Sequence, residues 1–161
     1  MTEHLDQDAH FLRRIVQPAL LGLMDGSVST LAPLFAAAFA TRNPHVAFLI
    51  GTAASTGAGI SMAFAEGLSD DGVLTGRGHP FLRGSITGIM TFLGGIFHTL
   101  PFLLHNLNHA LYLAYFIVGI ELMIIAFIRY RYMKMKFFLS VIQVVFGGAL
   151  VFLAGYLIGQ G

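Results

Sequence analysis

At 161 residues, 56% hydrophobic and 11% charged, with a mean hydropathy of +0.77, the chain is too apolar for a water-soluble domain. A net charge of +1 gives no reason to expect a nucleic-acid partner, and the lack of cysteine excludes disulfides, thiolate metal sites and cysteine nucleophiles. Residues 1–10 are polar and acidic where a secretory leader would be basic, so the first apolar run is expected to stay in the bilayer.

Residues 1–14 form a polar lead, expected to lie in the cytoplasm. Glu3, His4, Asp6, Asp8 and His10 are able to gather a cation there, although a solvated tail ending in the basic anchor Arg13-Arg14 is the simpler reading. The transmembrane domain is expected over 15–160. Its first span covers about 15–40 and contains Leu20–Leu31, LLGLMDGSVSTL, with the run's one formal charge, Asp25. A turn at 41–45 with Pro44 as breaker leads to a second span at 46–68. A Gly/Asp-rich loop at 69–80 precedes a third span at 81–104, with Pro101 as a kink near its end. After a turn at 105–109 come a fourth span at 110–128, a basic link at 129–136 and a fifth span at 137–158. The fold class is therefore an all-α integral membrane protein of five transmembrane helices.

Eight of the nine Lys and Arg residues fall on one side of this arrangement, and only Arg42 on the other. The positive-inside rule then puts the N-terminus in the cytoplasm and the C-terminus outside. So strong a bias fixes one orientation, and any homodimer should be parallel.

The ionisable residues inside the spans are few. At about 1.5 Å per residue, Asp25 lies roughly 15 Å into its helix, near the bilayer midplane. A carboxylate at that depth usually faces a bundle interior or a wet cavity and marks an ion or proton path. Gly22 and Gly26 flank it in a spacing that lets another helix approach to backbone contact. Ser55, Gly59, Met62, Glu66 and Asp70 recur at i+3 and i+4, placing them on one face of the second helix, with Asp70 and Asp71 at its cytoplasmic mouth. The pattern is a ladder: acids at the entrance, a thioether further in, a carboxylate at the centre. Carboxylates alone suit Mg²⁺ or Ca²⁺, whereas an added thioether favours a metal of intermediate softness such as Fe²⁺ or Mn²⁺.

Glu121, in the fourth span, is either a proton carrier or a structural group bonded to a neighbouring hydroxyl. His98, His105 and His109 fall toward the outer face, where imidazoles receive an exiting metal, relay protons, or simply sit at the interface. With no Lys or Arg expected at mid-membrane, Asp25 must be protonated or balanced by a cation. Gly84-x-x-x-Gly88 and Gly155-x-x-x-Gly159 are further close-approach signals. No phosphate-binding loop, zinc-protease motif or serine elbow is present, and an enzyme is not expected.

The stretches Gly22-Leu-Met-Asp-Gly-Ser-Val-Ser29 and Gly59-Ile-Ser-Met-Ala-Phe-Ala-Glu66 resemble the first- and second-helix signatures of the vacuolar iron transporter family. Residues 59–95 together with FHTLPFL are similar to the membrane domain of bacterial membrane-bound ferritin-like iron exporters. The resemblance implies a parallel homodimer in the bacterial inner membrane, with a metal path along the two-fold axis between the first helices. It implies proton-coupled export of Fe²⁺, and of Mn²⁺ as a second cargo, with no fixed cofactor. Asp25 would be the midplane ligand and proton site, Met62 the soft ligand and Glu66 an entrance ligand. The short 69–80 connection lacks the metal-collecting insertion of the plant transporters, and only some 14 residues precede the first helix, where the exporters carry a ferritin-like domain. A separate soluble ferritin-like partner would then supply metal. A passive channel and a membrane anchor for such a partner are the alternatives.

Overall fold

The computed structural model describes residues 9–69, 71–72 and 75–161. Glu3, His4, Asp6, Asp8 and Asp70 lie outside the described residues. Among the described residues five helices follow one another: α1 (Ala9–Thr41), α2 (Pro44–Gly67), α3 (Pro80–Ile96), α4 (Leu107–Met133) and α5 (Phe137–Gln160), with a 3-10 turn at Leu100–Leu103. Four of them, α1, α2, α4 and α5, are long and apolar enough to cross a membrane. The hydropathy of α4 and α5 is highest, at 2.4, and much of their surface is uncovered Phe, Leu and Ile, as a lipid-facing helix requires.

Three expected elements are corrected. The first span is not one straight helix: it opens with a π turn at Leu12–Val16 and bends at Thr30, dividing into α1a (Gln17–Ser29) and α1b (Leu31–Thr41). Proline explains both features. Pro18 has no N–H for the turn before it, and the ring of Pro33 cannot sit over the carbonyl of Ser29 in a continuous helix. The third span, expected over 81–104, is a helix of 17 residues, about 26 Å long against roughly 30 Å of hydrocarbon. Pro101 forces this early end, because its ring excludes a helical turn from Phe97 onward; Thr99 N–H bonds instead to Ile96 O and Phe102 N–H to Thr99 O. The irregular backbone is tolerated at this depth because His98, Thr99, Pro101 and Phe102 are buried in protein. Finally, the expected basic link begins as helix. Arg129 to Met133 continue α4, whose C-terminus favours positive charge, and the turn comes at Lys134 in the left-handed conformation.

The helix starts follow local chemistry. Asn43 Oδ1 accepts from the backbone of His45 and Val46, and Pro44 occupies the first turn of α2. His79 Nδ1 caps α3 in the same way, ahead of Pro80.

The bundle is built around α3. Gly22 and Gly26 of α1a lie against the α3 backbone at Thr87 and Thr91, while Gly84 and Gly88 of α3 lie against Ala63 and Gly59 of α2. Across the molecule Gly155 and Gly159 of α5 seat on Ala32 and Ala36 of α1b. Where lipid is as apolar as the side chains, such close approach is what holds helices together. Two apolar clusters fill the rest. One gathers Leu31, Leu34, Phe35, Ala47, Phe102 and Ala114, with the Phe35 ring 5.0 to 6.2 Å from those of Phe102, Tyr115 and Phe152. The other gathers Leu20, Leu23, Leu122, Ile125 and Val144.

A methyl group at Gly26 would stand 1.9 Å from Thr91 O, whereas one at Gly119 meets nothing within 4 Å. Gly26→Ala should therefore lower stability by about 1–3 kcal/mol, and Gly119→Ala should be neutral or slightly stabilising. Thermal unfolding in detergent compares the two, and equal melting points would contradict this packing.

Candidate functional site

Asp25 sits on α1a one residue before Gly26, the close-approach point to α3. Its side chain is half-buried, on a strip with Leu21, Val28 and Ser29 that the rest of the chain leaves partly open. Among the described residues Asp25 has no hydrogen-bond or ion-pair partner. That distinguishes it from the other two acids of the helices.

The face of α2 expected to carry the ligand ladder is largely turned inward. Ser55, Gly59 and Glu66 are buried, and Gly59 lies against the α3 backbone at Gly88. Met62 lies at the edge of this face, half-buried. Glu66 neither reaches for solvent nor stands as a free carboxylate. Its Oε1 accepts from Arg77 Nη2 at 2.9 Å and from Arg83 Nε at 2.9 Å, with Arg83 Nη2 also bonded to it. Arg83, expected at the connection as a positive-inside residue, is in the first turn of α3 and fully buried. Ser69 extends the contact: its hydroxyl donates to Glu66 O at 2.9 Å and stands 3.5 Å from Arg83 Nη2. Sequence reasoning placed Arg83 only by its charge. The available signal was its position three residues after the Pro80 helix start, which turns it back toward the end of α2.

His98, expected toward the outer face, is not an ordinary interfacial residue: it is fully buried just beyond α3. Its Nδ1 is 3.0 Å from Glu121 Oε2, and its Nε2 is 2.8 Å from Thr30 Oγ1 at the bend of α1. Glu121 is thus bonded to an imidazole rather than to a hydroxyl. Its Oε1 is buried without a hydrogen-bond partner among the described residues. The signal for this grouping was weak: three polar residues far apart along the chain, two of them in turns, share no spacing.

His105 and His109 are exposed at the turn before and the start of α4, and Asp71 is exposed beyond α2. Asp70, the other expected entrance acid, lies outside the described residues. Among the described residues no three His, Asp or Glu side chains of one chain converge as a metal cluster.

The VIT family model matches residues 68–160. No curated protein and no solved structure matches the chain.

The paired Glu66 and Arg83 carry their own consequence. Removing one partner of a buried ion pair leaves the other charge stranded, at a cost of about 3–5 kcal/mol, whereas replacing both with apolar groups is nearly neutral. Arg83→Met should destabilise the protein, by less than that full cost because Arg77 still bonds Glu66, and Glu66→Leu combined with it should restore most of the loss. A double variant no more stable than Arg83→Met alone would show that the pair is not the source.

Proposed function

The chain belongs to the VIT family, the vacuolar iron transporters, and on that premise we propose that it exchanges Fe²⁺ or Mn²⁺ for protons across the membrane. It is a multi-pass membrane protein of metal transport; the cargo, the coupling and the path are our reading. The observation that carries it is the state of Asp25. Glu66 has two arginines and Glu121 has an imidazole, while Asp25 stands half-open within an apolar helix without a partner among the described residues. A carboxylate so placed is tolerated with a proton or a cation, and alternation between the two is what antiport requires.

We place the path between two copies of the chain. One copy offers Asp25 and Met62, one oxygen donor and one sulfur donor; two copies offer four donors, a set suited to Fe²⁺ or Mn²⁺. Gly57, Ser61 and Ala65 of α2 are exposed and one turn apart, and a methyl at Gly57 would meet open space. Such a strip allows the backbone of a second α2 to come close. The one-sided distribution of Lys and Arg supports a parallel pair with the Glu66 end in the cytoplasm, and entry of the metal at that end would make the direction export. At that end an entering cation competes with Arg77 and Arg83 for Glu66, so Glu66 serves as a guarded entrance ligand, with Asp71 and Asp70 before it. The membrane would be the bacterial inner membrane, and a soluble ferritin-like protein would deliver the metal in place of a fused domain.

Proteoliposomes test this. Purified protein should move Mn²⁺ and Fe²⁺ in response to a pH gradient, with measurable proton counter-flow. Asp25→Asn should abolish both flows while melting near the wild-type temperature. Undiminished flux in that variant would refute the assignment, and flux without proton movement would make the protein a passive channel.

A further inference from the structure

Thr30, His98 and Glu121 constrain one another's protons. In a continuous helix Gly26 O would accept from the Thr30 N–H; here that N–H turns to Val28 O, and the Thr30 hydroxyl donates to Gly26 O at 2.8 Å. A hydroxyl has one proton to give. With it committed to Gly26, the Thr30 oxygen meets His98 Nε2 only as an acceptor, so Nε2 carries hydrogen. The other ring nitrogen faces Glu121 Oε2, and that contact needs one more proton. Placed on Nδ1, it makes an imidazolium and a carboxylate; placed on Oε2, it makes a neutral imidazole and a neutral acid. Both arrangements carry no net charge, and both keep the chain of bonds from Gly26 to Glu121 intact.

Loss of that proton to water leaves a lone pair on Nδ1 facing a carboxylate. The contact is restored only if the ring moves its remaining hydrogen from Nε2 to Nδ1. Nε2 then becomes an acceptor and draws the Thr30 hydroxyl away from Gly26 O. The carbonyl left without that bond is at the bend of α1, one residue from Asp25.

We propose that His98 and Glu121 hold one exchangeable proton between them and that this proton latches the bend of α1 at Thr30. They are positioning residues, acting on Asp25 through the helix that carries it. The part they play in transport rests on the metal–proton exchange proposed above; the latch itself does not. The groups packed beside the two ends of the pair are neutral. At the His98 end Thr30 of α1 bonds the ring, and Gly95 of α3 packs against Thr30 and against Ser55 of α2. At the Glu121 end come Val144 and Gly148 of α5, against Leu122. The other ionisable groups of these elements stand further along them, among them Asp25 on α1, Glu66 on α2, Arg83 on α3, Tyr115 and Arg129 on α4 and Tyr156 on α5. Among the described residues only Thr30 hydrogen-bonds to the pair.

Glu121→Gln separates the proton from the bond. Its amide donates to Nδ1, fixing a neutral imidazole with hydrogen on Nε2 and nothing left to release. Metal-free protein in lipid bilayers, labelled with ¹⁵N-histidine, would be titrated by solid-state NMR, with amide hydrogen exchange over residues 26–34 followed at each pH. In the wild type the pair should lose one proton in a single step, after which the ¹⁵N signals of His98 should show hydrogen on Nδ1 alone. Exchange at the bend, corrected for its intrinsic pH dependence, should rise with that step by about tenfold or more. Glu121→Gln should show neither change, and Thr30→Val should keep the step but uncouple the exchange from it. A His98 titration identical in wild type and Glu121→Gln, or wild-type exchange indifferent to the step, overturns the proposal. Should Glu121→Gln not fold, the wild type and Thr30→Val decide by the same criterion. Because no metal is present, failure of transport would leave the result unaffected.

Discussion

A polar group inside hydrocarbon must find a partner within the protein, since no water is there to serve as one. The described helices carry three acids, Asp25, Glu66 and Glu121, and they are treated differently. Glu66 is bonded to Arg77 and Arg83, and Glu121 is bonded to His98. Asp25 is left half-open with no partner among the described residues. Two acids are held by partners within the chain, and the third is the one at which the proposed function alternates metal and proton.

Helix α3 makes that division. It is short, it brings Arg83 to Glu66 at its first turn, and it delivers His98 to Glu121 just past its last. It lies against α1a through Gly22 and Gly26 and against α2 through its own Gly84 and Gly88, at separations that leave no room for a Cβ. The same glycines that flank Asp25 in the sequence are therefore committed inside the protomer. A second copy must meet this chain by another surface, and the exposed small residues Gly57, Ser61 and Ala65 of α2 are the proposed one. The bend at Thr30 joins the two systems, because the residue that interrupts the Asp25 helix is also the one that touches His98.

Much of this was legible in the sequence. Apolar run lengths pointed to five membrane spans, of which four are helices long and apolar enough to cross, and the 22/26, 84/88 and 155/159 glycine pairs marked three helix contacts. The rest was hidden for physical reasons. Pro33 acts three residues after the bend it causes, so a run of apolar residues from Ile15 to Ala40 reads as unbroken. Pro101 was read as a kink late in a long helix, whereas it ends the helix several residues ahead of itself. Arg83 looked like an interfacial anchor because charge counting treats every arginine near a helix end alike; only the fold turns it inward onto Glu66. His98 and Glu121 meet across separate helices, and no spacing along the chain announces such a pair.

The central claim is that the unpartnered acid on α1a is where metal and proton alternate. Anomalous scattering from Mn²⁺-soaked crystals grown in lipid tests it most directly. The account predicts a manganese peak on the two-fold axis between two parallel copies, within coordination distance of both Asp25 carboxylates, that weakens as the crystals are acidified. Manganese bound elsewhere, with Asp25 turned away from the second copy and its surroundings unchanged by metal or pH, would contradict it.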